Sequence, residues 1–352
     1  MKEDVVVIGG GVAGLCSAIR LSELGASPLV IEGGTYPSHK VCGEFLSPEC
    51  LPLLKKWNIE TIPILNAQFQ TPSQVINYTF PEAAGSLSHH QLDPSLAQYA
   101  KSKNVEILTE SRVMALRPKQ SKLGFHEIEL STGKTVQAST IIVATGRIPN
   151  FEQPFKERYI GLKAHFEGIS IQDSIQMFSF PGAYLGISQI ENHKYNIACL
   201  ATVGQFNKFE TPELFMKNLM SQNTKLNSYL SNGKNLFKEW MKASVPEFGL
   251  KKTPNWKDAY FIGDAIMTIP PTTGEGLSMG ILGGYLAAEY AFEGRDDEFK
   301  KKWLKQCSSQ IFWGKILHHI MLNPTIGNPC FKLGQIFPSL IKKLFYLTRH
   351  KK

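Results

Sequence analysis

The sequence predicts an α/β protein with a further set of strands in its middle part, and three patterns lead to this class. A continuous apolar run at residues 5–8 is followed at once by a glycine-rich turn, which is typical of a buried parallel strand that leads into a helix. A second strand, glycine-rich turn and helix occur between residues 258 and 288, and alternating segments rich in aromatic residues lie between 155 and 250. The 352 residues are 43% hydrophobic and 19% charged, which excludes a disordered chain and suggests about two domains.

The N-terminal pattern is detailed enough to predict a binding site. A G-x-G-x-x-G turn begins at residue 9, a helix follows it, and a second apolar strand at 28–31 ends in an acid. In such a turn the first glycine makes the tight bend, the second lets a pyrophosphate approach the backbone, and the third lets helix pack on strand. The helix N-terminus attracts the phosphates and the acid accepts hydrogen bonds from a ribose. The predicted Rossmann-type dinucleotide site comprises Gly9, Gly11, Val12, Ala13, Gly14 and Glu32.

The second glycine-rich pattern indicates which dinucleotide is bound. A short strand ends in Gly263-Asp264, and the segment P-P-T-T-G-E-G-L follows at 270–277, before a helix of small residues. These segments resemble the second cofactor motif of the flavoprotein superfamily that includes p-hydroxybenzoate hydroxylase and geranylgeranyl reductase-like proteins. The resemblance implies that the cofactor is FAD, that Asp264 binds its ribityl chain, and that the helix N-terminus lies near the flavin. The contacts implied by this motif are Gly263, Asp264, Gly274, Glu275, Gly276 and Leu277.

Three further segments resemble the same superfamily and also depart from it. K-V-C-G-E-F-L-S at 40–47 resembles the reductase loop K-x-C-G-G-x-L-S, with Glu44 in place of the second glycine. S-H-H-Q-L-D at 88–93 resembles S-R-x-x-L-D, with His89 in place of the arginine. Thr145 stands where the hydroxylases have an aspartate that contacts FAD and NADPH, which weakens the direct case for NADPH. The resemblance adds these residues to the cofactor site: Lys40, Cys42, Val113 and Gly146.

The order of the motifs predicts a discontinuous domain organisation. We expect an α/β FAD-binding domain, an interleaved α+β substrate domain built on an antiparallel sheet, and C-terminal helices. The predicted boundaries are 1–68, 86–150 and 251–298 for the FAD-binding domain, 69–85 and 151–250 for the substrate domain, and 299–352 for basic amphipathic helices.

The substrate domain is expected to present aromatic side chains. Strands are predicted at residues 159–166, 174–178, 183–186 and 195–200. In the superfamily that the sequence resembles, such a sheet covers the flavin, and residues 180–184 would be nearest the ring. The strand aromatics either contact an apolar substrate or fill the core between sheet and helices; they are Phe166, Phe178, Phe180 and Tyr184.

The residues predicted to be catalytic are Cys42, Glu44 and Tyr184. By resemblance Cys42 lies near the flavin, although an ordinary buried cysteine is an equal alternative. Glu44 would act as a proton donor, and His165 is a further acid–base candidate whose alternative is a structural role within its strand. Lys163 is expected in solvent or bound to a carboxylate. Six cysteines without a C-x-x-C pair predict no metal centre and a set of reduced thiols in the cytoplasm.

The positive charge of the chain belongs to its C-terminal part. The net charge is +8, but residues 299–352 alone carry ten lysines, one arginine and no acid, so residues 1–298 are slightly acidic. Apolar residues recur at helical spacing in this tail on both sides of the segment 324–329. The helices therefore either dock on the FAD-binding domain, or contact an anionic membrane surface from the cytoplasmic side, or do both. No run of residues is long and apolar enough to predict a membrane span.

Together these features predict an FAD-dependent oxidoreductase that transfers hydride to or from an apolar prenyl, lipid or polyketide-type molecule. NADPH or NADH is the candidate electron donor. The alternative reaction is hydroxylation of an aromatic or polyketide substrate by an FAD-dependent monooxygenase. A third alternative is a flavin-containing protein that binds RNA or a protein partner through its basic tail, but no nucleic acid is expected, because the body of the chain is slightly acidic.

Overall fold

The structure is a computed structural model that describes residues 1–121, 123–146 and 157–349. The predicted boundary between residues 150 and 151 therefore lies outside the described residues, as does the end of the tail from residue 350. The helices are α1 Val12–Glu23, α2 Leu51–Lys56, α3 His89–Ser102, α4 Val203–Phe206, α5 Pro212–Ser221, α6 Thr224–Asn232, α7 Gly276–Phe292, α8 Asp296–Leu322, α9 Pro324–Ile336 and α10 Pro338–Leu347.

The strands are β1 Lys2–Ile8, β2 Leu29–Ile31, β3 Phe45–Leu46, β4 Ile62–Gln70, β5 Val75–Ser86, β6 Glu106–Leu108, β7 Val113–Arg117, β8 His126–Leu130, β9 Thr135–Val143, β10 Tyr159–Glu167, β11 Ser174–Phe180, β12 Ala183–Gln189, β13 Tyr195–Thr202, β14 Lys234–Asn235, β15 Met241–Val245, β16 Gly249–Leu250, β17 Ala259–Phe261 and β18 Met267–Thr268.

The first sheet contains the predicted parallel strands together with two antiparallel pairs, β7–β8 and β8–β9. Its order is β6-β2-β1-β9-β8-β7, and β17 pairs in parallel with the C-terminal part of β9. The apolar run at residues 5–8 is buried in β1, between parallel neighbours β2 and β9. Helices α1 and α7 pack closely, because Gly284 brings α7 against the backbone of Ala13. The two glycine-rich turns that precede these helices therefore lie side by side.

The second sheet contains the four strands predicted for the substrate domain. Its order is β14-β10-β13-β12-β11-β4-β5-β3, and β15 also pairs with β10. All of its pairings are antiparallel except the parallel pair of β4 and β11. This sheet begins with β3 and β4, so the chain enters it at residue 45 and again at residue 62, before the predicted boundary at residue 69. The predicted α/β class, with a second sheet and C-terminal helices, is confirmed.

Successive residues of the second sheet point to opposite faces. Phe178 packs with Phe215 and Leu219 of α5 in a core on one face, whereas Met177 and Tyr184 belong to a separate apolar cluster on the other face. This second face is directed toward the C-terminal helices, which contribute Met321 to the same cluster.

The tail forms three helices, whereas the apolar spacing predicted helices on the two sides of the segment 324–329; α9 begins at Pro324 and runs through that segment. Both boundaries between these helices coincide with a proline, since α9 begins at Pro324 and α10 at Pro338. Proline is tolerated at the start of a helix but disrupts its interior. Helix α8 reaches the second sheet, where Ser179 donates a hydrogen bond of 2.6 Å to the carbonyl of Met321. Helix α9 reaches β5 through a 2.7 Å bond from Gln335 to the Val75 carbonyl. The tail therefore docks on both parts of the protein, because Phe299, Trp303, Cys307 and Ile311 of α8 belong to the core of the FAD-binding domain and the later residues reach the substrate sheet.

Candidate active site

A single cavity of about 710 Å³ lies between the two sheets and the C-terminal helices. Part of its wall consists of predicted cofactor residues, namely Gly9, Gly11, Val12, Ala13, Glu32, Lys40, Cys42, Gly146, Gly263, Asp264, Gly274, Gly276 and Leu277. The rest of its wall is mainly apolar. Strands of the second sheet contribute Phe69, Ile76, Tyr78, Phe80, Ile175, Met177, Tyr184 and Leu200, and helices α8 to α10 contribute Leu317, Ile320, Phe331, Ile341, Leu344 and Phe345.

The first glycine-rich turn has the geometry that its sequence predicts. Gly9 adopts a φ of +105°, and a Cβ atom there would lie 2.4 Å from the carbonyl oxygen of Ala144. A Cβ on Gly14 would lie 1.9 Å from the carbonyl oxygen of Gly9, so the helix packs directly on the turn. A Cβ on Gly11 would have the Lys40 ammonium nitrogen as its nearest neighbour, at 3.4 Å. Gly11 faces the cavity. The backbone is thus open where a pyrophosphate would approach.

Glu32 occupies the predicted position at the end of β2 and lines the cavity. Its two carboxylate oxygens accept hydrogen bonds of 2.7 Å from the backbone N–H groups of Gly10 and Gly34. These bonds orient the carboxylate, and each oxygen keeps a lone pair that can accept a hydrogen bond from a ribose hydroxyl.

The second motif completes the cofactor side of the cavity. Gly263 and Asp264 form a turn after β17, and α7 begins at Gly276 with its N-terminus at the cavity wall. Two hydroxyls at this wall, those of Thr145 and Thr272, are buried without a hydrogen-bond partner among the described residues. A flavin with a polyol chain supplies the acceptors and donors that such groups lack, so the residues present fit FAD.

Three predicted cofactor residues are not part of the cavity wall. Gly14 lies beneath the turn, and Val113 is buried at the start of β7. Glu275 is fully buried and forms an ion pair with Arg349. Burial raises the pKa of Glu275 to about 7, although the nearby Arg349 charge opposes the shift. Sequence reasoning missed this partner, because Arg349 lies 74 residues away at the end of the tail.

Cys42 lies in a chain of interacting side chains at the cavity wall. Lys40 and His89 both contact the carboxylate of Asp93, with an Nζ–Oδ2 distance of 2.6 Å and an Nδ1–Oδ1 distance of 2.8 Å. The His89 imidazole also acts on Cys42, whose pKa it lowers. The Sγ atom of Cys42 also accepts a 3.4 Å hydrogen bond from the backbone N–H of Glu44.

The charges in this group favour ionised forms. Burial alone would lower the pKa of His89, but its bonds to Asp93 and Cys42 raise it to about 9. Burial would raise the pKa of Cys42, but the bond to His89 and the Glu44 N–H lower it below its ordinary value. The sequence showed that His89 replaces an arginine but not that the imidazole would meet Cys42.

Glu44 lies at the centre of a second buried group. One of its oxygens accepts hydrogen bonds from the Lys163 ammonium and, at 2.7 Å, from the His89 backbone N–H; the other contacts His165 Nε2 at 2.8 Å. Burial alone would raise the pKa of Glu44, but the His165 bond and the Lys163 charge outweigh it and lower the pKa. A carboxylate held in its ionised form by three donors is a poor proton source, so this geometry argues against the predicted donor role.

The conformation of Glu44 explains why the related loops have glycine here. Its φ is +54°, a left-handed conformation that costs a residue with a side chain about 1–2 kcal/mol. The ion pair with Lys163 and the bond to His165 offset that cost. Lys163 was expected either in solvent or bound to a carboxylate; its side chain is fully buried and paired with Glu44. His165 contacts the same carboxylate, which agrees with a structural role, the alternative to acid–base chemistry.

The predicted strand aromatics separate into two groups. Tyr184 lines the cavity, and burial raises the pKa of its hydroxyl, so the hydroxyl is neutral. Phe166, Phe178 and Phe180 lie in the core between the sheet and α5–α6, which was the alternative reading. The cavity instead takes its aromatics from strands β4 and β5 and from the tail. The alternation of Ile76, Tyr78 and Phe80 along β5 is the sequence pattern that could have predicted an apolar, aromatic face on this strand.

Other kinds of site find no support within the described ranges. There, no group of three or more His, Cys, Asp or Glu side chains is arranged to hold a metal ion. None of the helices in these ranges combines the length and the hydropathy that crossing a membrane requires.

Comparisons with known proteins agree with this cofactor site. A sequence profile described as "Pyridine nucleotide-disulphide oxidoreductase" matches residues 6–173. The menaquinone reductase of Mycolicibacterium smegmatis is 23% identical over 348 residues, which cover 86% of this chain and 79% of the relative. These similarities agree with an FAD-dependent oxidoreductase, with FAD as the cofactor, as the resemblance implied.

Further comparisons relate this flavoprotein to enzymes with several different names. The squalene monooxygenase of Rattus norvegicus is 24% identical over 192 residues, 49% of this chain and 34% of the relative. Among solved structures, the flavin-dependent brominase Bmp2 has a TM-score of 0.82 at 17% identity, with 99% and 93% of the two chains covered. A geranylgeranyl bacteriochlorophyll reductase-like protein from Thermoplasma acidophilum has a TM-score of 0.70 at 18% identity, with 98% and 99% covered. These structural similarities establish the shared fold.

Proposed function

We propose that this flavoprotein is a reductase that transfers hydride between FAD and a carbon–carbon double bond of an apolar, isoprenoid-type molecule. The observation that carries the proposal is the single cavity, in which the FAD-binding residues and a mainly apolar chamber share one space. A cavity of about 710 Å³ lies in the upper half of the range for small-molecule sites, about 300–1,000 Å³. Apolar walls select substrates by shape and hydrophobicity rather than by charge.

The substrate class rests on the chamber walls and on the relatives. Tyr78 and Phe80 of β5 and Phe331 and Phe345 of the tail form an aromatic surface in contact with the cavity. Two of the similar proteins are named for menaquinone and squalene, and both molecules carry isoprenoid carbon chains. A prenylated molecule is therefore the best-supported substrate for this chamber.

The residues of the chain would bind and orient FAD, which supplies hydride-transfer chemistry when bound. The N–H groups at the start of α1 face the pyrophosphate position, Glu32 accepts hydrogen bonds from the ribose, and Asp264 binds the ribityl chain. The N-terminus of α7 stabilises negative charge at the flavin. Tyr184 contributes a neutral hydroxyl to the substrate part of the cavity.

An anaerobic turnover experiment tests the reaction. The FAD-loaded protein is reduced with NADPH or NADH, or with dithionite if neither nucleotide acts, and then mixed with a menaquinone or a geranylgeranyl compound. We expect reoxidation of the flavin, followed at 450 nm, together with a product two mass units heavier. Reoxidation by none of these isoprenoids would overturn the assignment of substrate class, and a protein that retains no FAD would overturn the cofactor site.

A monooxygenase is the second candidate, and the half-chain similarity to squalene monooxygenase favours it. The same reduced protein is therefore mixed with substrate under ¹⁸O₂. A product that contains ¹⁸O supports the monooxygenase, whereas a hydrogenated product without ¹⁸O supports the reductase.

We further propose that the tail places the enzyme at the cytoplasmic surface of an anionic membrane. Five large apolar residues of α9, α10 and the residue between them are 45–61% exposed, namely Leu333, Ile336, Phe337, Leu340 and Tyr346. Lys332, Lys342 and Lys343 lie exposed among them. Since the opposite sides of the same helices line the cavity, a lipid-soluble substrate would have to pass only one layer of helices.

Co-sedimentation with vesicles tests this surface. Wild-type protein should bind phosphatidylglycerol vesicles better than phosphatidylcholine vesicles. Because each basic residue near an anionic surface contributes about 1 kcal/mol, K342E/K343E should weaken binding by at least about 30-fold. The matched control K55E/K101E reverses two exposed lysines outside the tail. Equal losses in both double variants, or equal binding to the two lipids, would refute the proposed surface.

A further inference from the structure

We infer that Arg349 is a positioning residue that joins the last helix of the tail to the flavin motif, so that docking of α10 and binding of FAD favour each other. The inference goes beyond the proposed function, because it concerns the cofactor site and α10 rather than the reaction. It rests on FAD as the cofactor and does not depend on the identity of the substrate.

Helix α10 is fixed at its C-terminal end rather than along its length. Within the described helix, Pro338–Leu347, no residue is buried. Its apolar side chains, which include Leu344 and Phe345, form part of the cavity wall. The residues that follow the helix, Thr348 and Arg349, are buried. Because segments with few buried contacts open locally more readily than the rest of a protein, the contacts of Arg349 have a large effect on whether α10 stays docked.

The side chain of Arg349 connects three segments of the chain. Its Nη1 atom forms an ion pair with Oε1 of Glu275. Its guanidinium also lies 4.3 Å from the ring centre of Phe345 in α10, and 5.8 Å from that of Phe45 at the end of the loop that resembles the reductases. A planar cation that pairs with a carboxylate and lies over aromatic rings makes contacts that lysine reproduces only in part.

Glu275 transmits this contact to the cofactor side of the cavity. Its two chain neighbours, Gly274 and Gly276, line the cavity, whereas Glu275 is fully buried and is not part of the wall. Gly274 has a φ of +68°, and a Cβ there would lie 2.6 Å from the ring of Phe45. The loop is therefore tightly packed, and Arg349 holds it from the side opposite to the cofactor.

Loss of the cation would disturb this loop, because buried charges are tolerated only when they are paired. Without Arg349, the carboxylate of Glu275 must take up a proton or move toward water. Such a move would displace Gly274 and Gly276, which line the cavity. Conversely, a bound cofactor fixes these glycines and so keeps Glu275 where Arg349 can reach it. Coupling between two binding events is reciprocal, so each must favour the other by the same factor.

FAD affinity measures the first half of this coupling. FAD-free protein is titrated with FAD at pH 8 by calorimetry, without lipid or substrate. Since coupling between sites is typically about 5–150-fold, we expect the Kd for FAD to rise at least about tenfold in R349M. R349K should recover part of the affinity, because it keeps the charge. The matched control R117M removes an exposed arginine that pairs with Glu129 in the first sheet and should leave the Kd unchanged.

Limited cleavage with trypsin measures the second half. Lys342 and Lys343 are exposed on α10, and Lys301 and Lys302 are exposed on α8, so one digestion followed by mass spectrometry reports on both helices. Cleavage of a transiently open segment follows the population of its open form. Removal of FAD from the wild type should therefore raise cleavage at 342–343 relative to 301–302 at least about fivefold. R349M should have the raised ratio even with saturating FAD.

Each outcome decides the inference. An unchanged Kd in R349M, or a wild-type cleavage ratio that does not depend on FAD, would overturn it. Equal increases at both lysine pairs would indicate global destabilisation and would also count against it. If R349M fails to fold, the response of the wild-type ratio to FAD still decides. Wild-type protein that binds no FAD would overturn the cofactor site itself, whereas normal coupling without turnover would count only against the proposed substrate.

Discussion

The strongest prediction concerns the buried carboxylate of Glu44. The substitution E44Q keeps the size of the side chain and one acceptor oxygen but removes the charge, which leaves the fully buried Lys163 ammonium with neutral acceptors only, among them the Lys40 carbonyl at 3.0 Å. Breaking a buried ion pair by removal of one partner typically costs about 3–5 kcal/mol. We expect a loss near the lower end, about 3 kcal/mol, because that carbonyl remains as an acceptor.

Urea unfolding at constant excess FAD measures this effect, with K163M and the double variant E44Q/K163M completing a cycle. The double variant should recover at least about 2 kcal/mol of the summed losses, because neither charge is then left unpaired. The matched control is E167Q, since Glu167 pairs with Lys234 at the end of the same strand but both side chains are exposed, and such pairs contribute at most about 1 kcal/mol. A loss below 1 kcal/mol in E44Q, or strictly additive losses, would refute the reasoning.

The pH dependence follows from the direction of the pKa shift. Because the folded protein holds the pKa of Glu44 below its ordinary value, this carboxylate stabilises the fold above the unfolded pKa of about 4.3. The stabilisation is lost as the pH falls through the lower, folded pKa. The difference between wild type and E44Q should therefore be constant from pH 6 to 8 and decrease below pH 4.

Two other predictions concern cofactor retention and the tail. In G14A the added Cβ would lie 1.9 Å from the Gly9 carbonyl oxygen, so the purified variant should lose most of its FAD. The FAD content is measured as the ratio of absorbance at 450 and 280 nm. The control G204A should keep its FAD, because a Cβ at that position meets nothing within 4 Å. In R349A the buried Glu275 loses its cation, which should cost about 3 kcal/mol at pH 8. The loss should be smaller at pH 6, because Glu275 has a pKa raised to about 7 and is then protonated. Equal losses at the two pH values, or an R349K variant as unstable as R349A, would contradict this explanation.

The elements with strong local patterns could be predicted from the sequence. The turn from Gly9 to Gly14 depends on close approaches between residues only a few positions apart, and such approaches leave a readable glycine pattern. The four predicted strands of the substrate domain agree with the observed strands to within a few residues, because a strand also has a local residue pattern. A break between tail helices was predicted at 324–329 and occurs at Pro324, whereas the second break, at Pro338, was not predicted.

The composition of the cavity walls could not be predicted in the same way. Both faces of the second sheet are apolar, so alternation shows that Met177 and Phe178 point to opposite sides but not which side meets the cavity. The pairs Cys42–His89 and Glu44–Lys163 join residues 47 and 119 positions apart, and nothing local encodes such contacts. The two departures from the reductase loops were nevertheless the best signals, because Glu44 brings a charge to a glycine position and His89 brings an imidazole to an arginine position.

The adjacency of α1 and α7 has a consequence for biosynthesis. The two glycine-rich turns are separated by about 250 residues of chain, so at about 5–20 residues per second the ribosome needs about 12–50 s between them. During that interval the nascent chain presents only half of the phosphate and flavin contacts. Tight binding of FAD must therefore come late, after the second turn has emerged. The concentration of FAD should then determine how many finished chains reach the native state, rather than how early folding begins.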